Sequence, residues 1–204
     1  MNWLAHVFLS QKNIEHQLGN LLTDPLKAKA WDGASEAFHR GIKNHLRIDA
    51  FTDSHAIVSR SKKSLTPRGH LKGVVLDILY DHFLSLHWDT YCNIPREKFL
   101  EDFRNHGLHA IKNYPEKAQN VIHSVVNNRQ LASYEHMDGV VAAFGRIDKR
   151  LSDRALSKDN CERYIPLIAE NRDELEADFL LFFPELMAKV RSECKMKTFK
   201  HWKM

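Results

Sequence analysis

Cysteine is scarce in this chain, with three among 204 residues. Cys92, Cys161 and Cys194 are widely spaced and odd in number, so they form neither a zinc ladder nor a disulfide framework, and a reducing cytoplasm is the expected location. Glycine (8) and proline (6) are also few, and the sequence has no linker, no low-complexity stretch and no Gly-rich phosphate loop. β-branched alternation is nearly missing, which argues against a sheet-built fold. No apolar run is long enough to cross a bilayer. The opening Met1-Asn2-Trp3-Leu4-Ala5-His6 lacks the cationic segment and cleavage site of a signal peptide. There is no nucleophile elbow and no Cys–His spacing of a thiol enzyme. Basic residues do not interleave with aromatics as in nucleic-acid binders, so neither nucleic acid nor membrane is an expected partner.

What is present is helical periodicity. Hydrophobic residues make up 43% and charged residues 27%, a balance that supports one well-packed core. The sequence predicts an all-α, single-domain helical bundle over 1–204. The chemistry-bearing motifs occupy 1–90, and 91–204 form a helical remainder ending in a basic, frayed tail. Helices are expected at about 3–10, 35–51, 56–65, 71–88, from Pro95, from Pro115 to Val126, at 137–151 and at 158–168. Gly19-Asn20 and Asp24-Pro25 read as turns, as does Thr66-Pro67. Leu175, Phe179, Phe182, Phe183, Leu186, Met187 and Val190 mark the apolar stripe of a last helix, with Pro184 expected to kink it.

Histidine is heavily used: there are 13, eight of them before Cys92. Phe38, Ile42, His45 and Asp49 share one helix face, so an apolar stripe runs into an imidazole and a carboxylate. A buried carboxylate without a partner costs several kcal/mol, so Asp49 needs a cation or a proton donor. Farther on, Asp77 and Asp81 lie one turn apart on a helix that is apolar nearly all round, with His82 beside them. Two like charges at that spacing repel unless a cation bridges them or one stays protonated. A divalent ion resolves both cases, because carboxylate and neutral imidazole are ordinary ligands for manganese, magnesium or iron. The competing structural readings are a His45–Asp49 hydrogen bond within one helix, a surface Asp77 and a core His82.

At these residues the chain resembles a known family. Asn2-Trp3-Leu4-Ala5-His6, Gly19-Asn20-Leu21-Leu22-Thr23-Asp24, Gly41-Ile42 with His45, Arg47-Ile48-Asp49, Thr52-Asp53-Ser54-His55 and Asp81-His82-Phe83-Leu84 with His87-Trp88 are similar to the motifs of the acyl-carrier-protein phosphodiesterases. The resemblance implies a fold related to the HD phosphohydrolases. It implies metal-dependent hydrolysis of the phosphodiester joining 4′-phosphopantetheine to a serine of holo-acyl carrier protein. The metal it implies is most often manganese. By matching position, Asp24, His45, Asp49, Asp81 and His82 are the candidate metal shell, with His6, Asn20, Asp53, His55 and Asp77 nearby. Trp3, Pro25 and Leu46 depart from the family pattern.

On this reading Arg47 holds the phosphoryl oxygens, Asp53 stands beside the site, and His55 or His87 donates a proton to the leaving serine oxygen. Residues 54–76 carry no carboxylate but hold Arg60, Lys62, Lys63, Arg68 and Lys72, a docking surface for an acidic carrier protein. Two other readings use the same features: a phosphohydrolase of nucleotides or small phosphodiesters, and a non-catalytic helical module that binds an acidic protein.

Overall fold

The computed structural model describes residues 1–66, 68–194 and 199–203. Among the described residues every regular element is helical, and the β-type contact is one isolated bridge, Cys92–Trp202. The chain is a single all-α domain, as its periodicity predicts.

The first helix, α1 (Trp3–Phe8), buries Leu4 through Phe8. It is followed by α2 (Ile14–Leu21), where the sequence suggested a turn at Gly19-Asn20. The Asn13 side chain caps α2 by accepting from the His16 N–H. Glycine stands inside this helix because α3 (Glu36–Ser54) crosses it there. A Cβ on Gly19 would lie 2.2 Å from the Phe38 carbonyl oxygen, and one on Gly41 would lie 2.3 Å from that of His16. The two glycines let the backbones touch, and that contact outweighs the poor helix propensity of glycine. Ser35 caps α3 through the Phe38 N–H.

The helix α4 (Ala56–Leu65) has the predicted bounds, and His55 begins it by accepting from the Ile57 N–H through Nδ1. Pro67, in the expected turn, lies outside the described residues. Next, α5 (Lys72–Leu86) buries every residue from Ile78 to Ser85 and is central, as its all-round apolarity requires. The chain continues through α6 (Trp88–Tyr91), α7 (Arg96–Ala110), α8 (Glu116–Asn127), α9 (Gln130–Ser133) and α10 (Met137–Asp148). Pro95 and Pro115 occupy the capping positions just before α7 and α8.

After α11 (Asp153–Leu156), the helix expected at 158–168 is replaced by a 3-10 turn at Glu162–Tyr164 and the short α12 (Ile165–Glu170). Side-chain acceptors compete with the helix here. Asp159 Oδ2 takes the N–H groups of His70 (2.6 Å) and Leu71 (2.9 Å), and Asp148 Oδ1 takes that of Cys161 (2.8 Å). The last helix, α13 (Arg172–Glu193), buries the predicted stripe and continues through Pro184 without interruption.

The expected frayed tail is anchored over its described part. Phe199 and Trp202 stack with ring centroids 4.0 Å apart, and the Phe8 carbonyl accepts from His201 Nε2 (2.8 Å) and Trp202 Nε1 (3.1 Å). Aromatic burial overrides the basic character that suggested solvation. Lys195 and Lys197 lie outside the described residues.

The crossing of α2 and α3 yields a direct expectation. Gly19→Ala or Gly41→Ala sets a methyl group against backbone, which cannot swing aside. Either substitution should cost about 1–3 kcal/mol in urea unfolding. An unfolding curve identical to that of the unsubstituted protein would contradict the close crossing.

Candidate metal centre

Four segments meet around one point: α1 with His6, α2 with Asn20, the turn after α2 with Asp24, and α3 with His45 and Asp49. Asn20 organises them. Its Nδ2 donates to the His6 carbonyl (2.9 Å) and to Ser10 Oγ (2.9 Å), which fixes its Oδ1 as the acceptor. The 2.8 Å contact to His6 Nδ1 is therefore donated by the ring. The backbone carbonyl of Asn20 takes the other imidazole, His45 Nδ1, at 2.8 Å. One residue thereby fixes both rings so that the neutral forms present Nε2 lone pairs to the same side. The rings stack 3.9 Å apart at an interplanar angle of 14°.

The Nε2 atoms face oxygen. His6 Nε2 lies 3.1 Å from the Met1 carbonyl and 3.3 Å from Asp49 Oδ1. His45 Nε2 lies 3.0 Å from Asp49 Oδ2 and 3.2 Å from Asp24 Oδ1. One ligand atom each from His6, His45 and Asp49 fall within 4.8 Å of one another. Despite this crowding, His45 Nε2 and Asp49 Oδ1 are buried without an aligned hydrogen bond. Buried polar atoms that converge on a shared point instead of aiming at each other are suited to a cation. Imidazole and carboxylate donors together can hold a divalent transition metal.

Charge in this cluster is balanced by protons on two nitrogens. Burial alone would lower the pKa of His45, but the Asp24 and Asp49 carboxylates outweigh it and raise the ring to about 9. Asp24 is lowered chiefly by its contact with His45. Asp49 is opposed by burial, yet His45 and His6 hold it well below the usual carboxylate range. His6 is pushed down by burial and by the neighbouring charge on His45, against the pull of Asp49. The Met1 amino group adds a second positive charge, 3.6 Å from Asp49 and 3.1 Å from Asp77.

His45 has a folded-state pKa above its ordinary 6.5, so its stabilising charge is fully present below about 6.5 and is lost as pH climbs through 9. The metal-free protein should therefore lose stability over that interval, by on the order of 3 kcal/mol. Added Mn2+ should restore it, because the ion takes the lone pair that the proton held. Thermal melts across this range, after chelation and again with manganese, test the sign. A metal-free protein whose melting point does not fall would show that His45 is not the buried cation.

The structure places the other predicted site residues elsewhere. Asp81 is fully buried and both its oxygens are committed: Oδ2 accepts from the Leu4 N–H (2.8 Å) and Oδ1 from the Ala5 N–H (2.9 Å). It therefore anchors the start of α1, the helix that carries His6. Burial raises its pKa to about 7 against the pull of those two donors. His82 donates from Nδ1 to the Tyr134 carbonyl at 2.8 Å, while its Nε2 is buried and unpaired. Neither joins the cluster, so Asp81 and His82, which the resemblance placed in the metal shell, do not supply ligands to it.

His55 and His87 contact Glu185 (3.3 Å) and Glu176 (2.6 Å) of α13, and Arg47 lies 3.5 Å from Glu193 of the same helix. Asp53 pairs with Lys62 at 3.0 Å. Within the expected docking run, Arg60 is bound to the buried Asp178, whereas Lys63 and Arg68 are exposed and Lys72 is half-buried. His6, which the sequence left as a supporting residue on a short apolar helix, stands at the centre. The signal that could have singled it out is Asn20, but sequence spacing does not show where an amide points.

Asparagine at 81 offers one acceptor to two donors. Asp81→Asn should lower stability by about 1–3 kcal/mol and leave bound metal unchanged. Loss of metal at full stability would instead place Asp81 among the ligands.

A family model for acyl carrier protein phosphodiesterase matches residues 1–186. Several curated proteins named acyl carrier protein phosphodiesterase align with nearly the whole chain. The one from Klebsiella pneumoniae strain 342 is 25% identical over 189 residues, covering 92% of this chain and 96% of its own length. That of Photorhabdus laumondii is 28% identical over 201 residues, covering 95% and 96%. An Escherichia coli relative is 28% identical over 194 residues, covering 93% and 97%. No solved structure matches.

Proposed function

The chain belongs to the acyl carrier protein phosphodiesterase family, and from that premise we propose that it removes 4′-phosphopantetheine from holo-acyl carrier protein by hydrolysis, using a divalent ion held by His6, His45, Asp49 and Asp24. Water adds to phosphorus, the bond from phosphorus to the serine oxygen breaks, and that oxygen leaves with a proton. The products are apo carrier protein and free phosphopantetheine.

The observation that carries the metal is the convergence of two oriented Nε2 atoms and the Asp49 carboxylate, with Asp24 3.2 Å from His45 Nε2. A divalent ion bound there supplies Lewis acidity and lowers the pKa of water toward neutrality. The chain supplies the rest. Asn20 holds both imidazoles in their ligating tautomers, and Asp81 fixes the helix start from which His6 projects. Asp24, whose side chain is 78% exposed, is the acid of the cluster that faces arriving substrate. Manganese is the expected ion. Among the described residues no helix is long and apolar enough to cross a membrane, and a cytoplasmic enzyme acting on a soluble carrier accords with this.

The test is direct. Holo carrier protein incubated with the enzyme and Mn2+ should lose the mass of phosphopantetheine, and chelation should stop the loss. His45→Ala and Asp49→Ala should each reduce turnover by about 100-fold or more, together with bound manganese. Full turnover in the chelated protein would refute the metal assignment, and no mass change under any condition would refute the activity.

A further inference from the structure

The second half of the chain holds a feature that the first ninety residues do not account for. A cleft of about 790 Å3 begins at Asp24 and Pro25 and runs between α5, α8 and α10. That size lies within the roughly 300–1,000 Å3 of small-molecule sites. Its walls are two helix faces with the same spacing. Lys117, Asn120, Val121 and Ser124 line it from α8, and Ala143, Arg146, Ile147 and Arg150 line it from α10 and the turn beyond. Each face repeats at three and four residues, so each presents one continuous stripe to the cleft. Both stripes mix apolar and hydrogen-bonding groups. Trp3 and Ile78 contribute further apolar surface, and Gln130 a further amide.

This lining selects an occupant. A fatty chain calls for a dry apolar tunnel, which this cleft with its many polar lining groups is not. Alternating methyl-bearing and amide- or hydroxyl-bearing side chains suit an extended chain that is itself alternately branched-aliphatic and amide. The cations Lys117, Arg146 and Arg150 outnumber the lining acids Asp24 and Glu116, so an anionic ligand is favoured. Asp24, which lines the cleft, lies 3.2 Å from His45 Nε2, so the cleft adjoins the cluster at that residue.

We propose that this cleft is the binding site for the pantetheine arm, with Asn120, Val121 and Ile147 as specificity-determining contacts and with Arg146 and Lys117 drawing in the anionic substrate. The proposal rests on the activity proposed above. It moves substrate recognition away from the basic run of α4 to the pair α8 and α10.

Calorimetric titration of free 4′-phosphopantetheine into the full chain loaded with Mn2+ tests the site without catalysis. Asn120 and Lys117 are both exposed, so Asn120→Trp fills the cleft without disturbing the core, and Lys117→Glu reverses a charge that draws the anion in. Both should weaken phosphopantetheine binding by roughly tenfold or more, with the melting temperature and manganese content of the unsubstituted protein. The KM for holo carrier protein should rise in parallel. Unchanged affinity in the two folded variants, or no binding by the unsubstituted protein, overturns the proposal. If free phosphopantetheine binds in this variant-sensitive way while holo carrier protein is never cleaved, the activity is wrong and the binding site stands.

Discussion

The backbone contact between α2 and α3 at Gly19 and Gly41 is the constraint on which the candidate centre depends. A Cβ at either position would collide with a carbonyl oxygen, so no other residue permits that separation. Because the helices touch, the main-chain carbonyl of Asn20 reaches His45 on α3 while its amide reaches His6 on α1. Three helices are therefore locked by one residue through strong, directional bonds. Separating α2 from α3 by even an ångström would release the His45 ring from its orientation.

Orientation then sets the electrostatics. Two stacked imidazoles cannot both carry charge comfortably, and the neighbouring carboxylates decide which one does. Asp24 and Asp49 together raise His45, while burial and that nearby charge keep His6 neutral. The result is a site whose positive charge is a removable proton. A metal ion that displaces it meets donors already in place, which reduces the reorganisation needed for binding. Asp81 contributes from outside the cluster, by securing the first turn of α1 through two backbone donors.

Much of this was legible locally. The 38–42–45–49 face predicted His45 and Asp49 as inward partners, and they lie 3.0 Å apart. The all-round apolarity of 71–88 predicted a central helix. Errors arose where a distant partner decided the outcome. Gly19-Asn20 looks like a turn until α3 is laid across it. Residues 158–168 look helical until His70 and Leu71 claim the Asp159 carboxylate. The basic tail looks solvated until Phe199 and Trp202 stack.

The sequence by itself determined the helical class, most helix bounds, the concentration of acids and imidazoles before residue 90 and the family motifs. All but the motifs are read from composition, periodicity and spacing, which act within a few residues; the motifs are read from their resemblance to the family. Tertiary structure alone decided that His6 stands beside His45 and Asp49, that Asp81 accepts from the start of α1 while His82 bonds the Tyr134 carbonyl, and that α8 and α10 line the cleft beside Asp24. A side chain's role is set by the direction of its hydrogen bonds and by what packs against it, and here those partners lie far along the chain, 77 residues from Leu4 to Asp81 and 130 from His55 to Glu185.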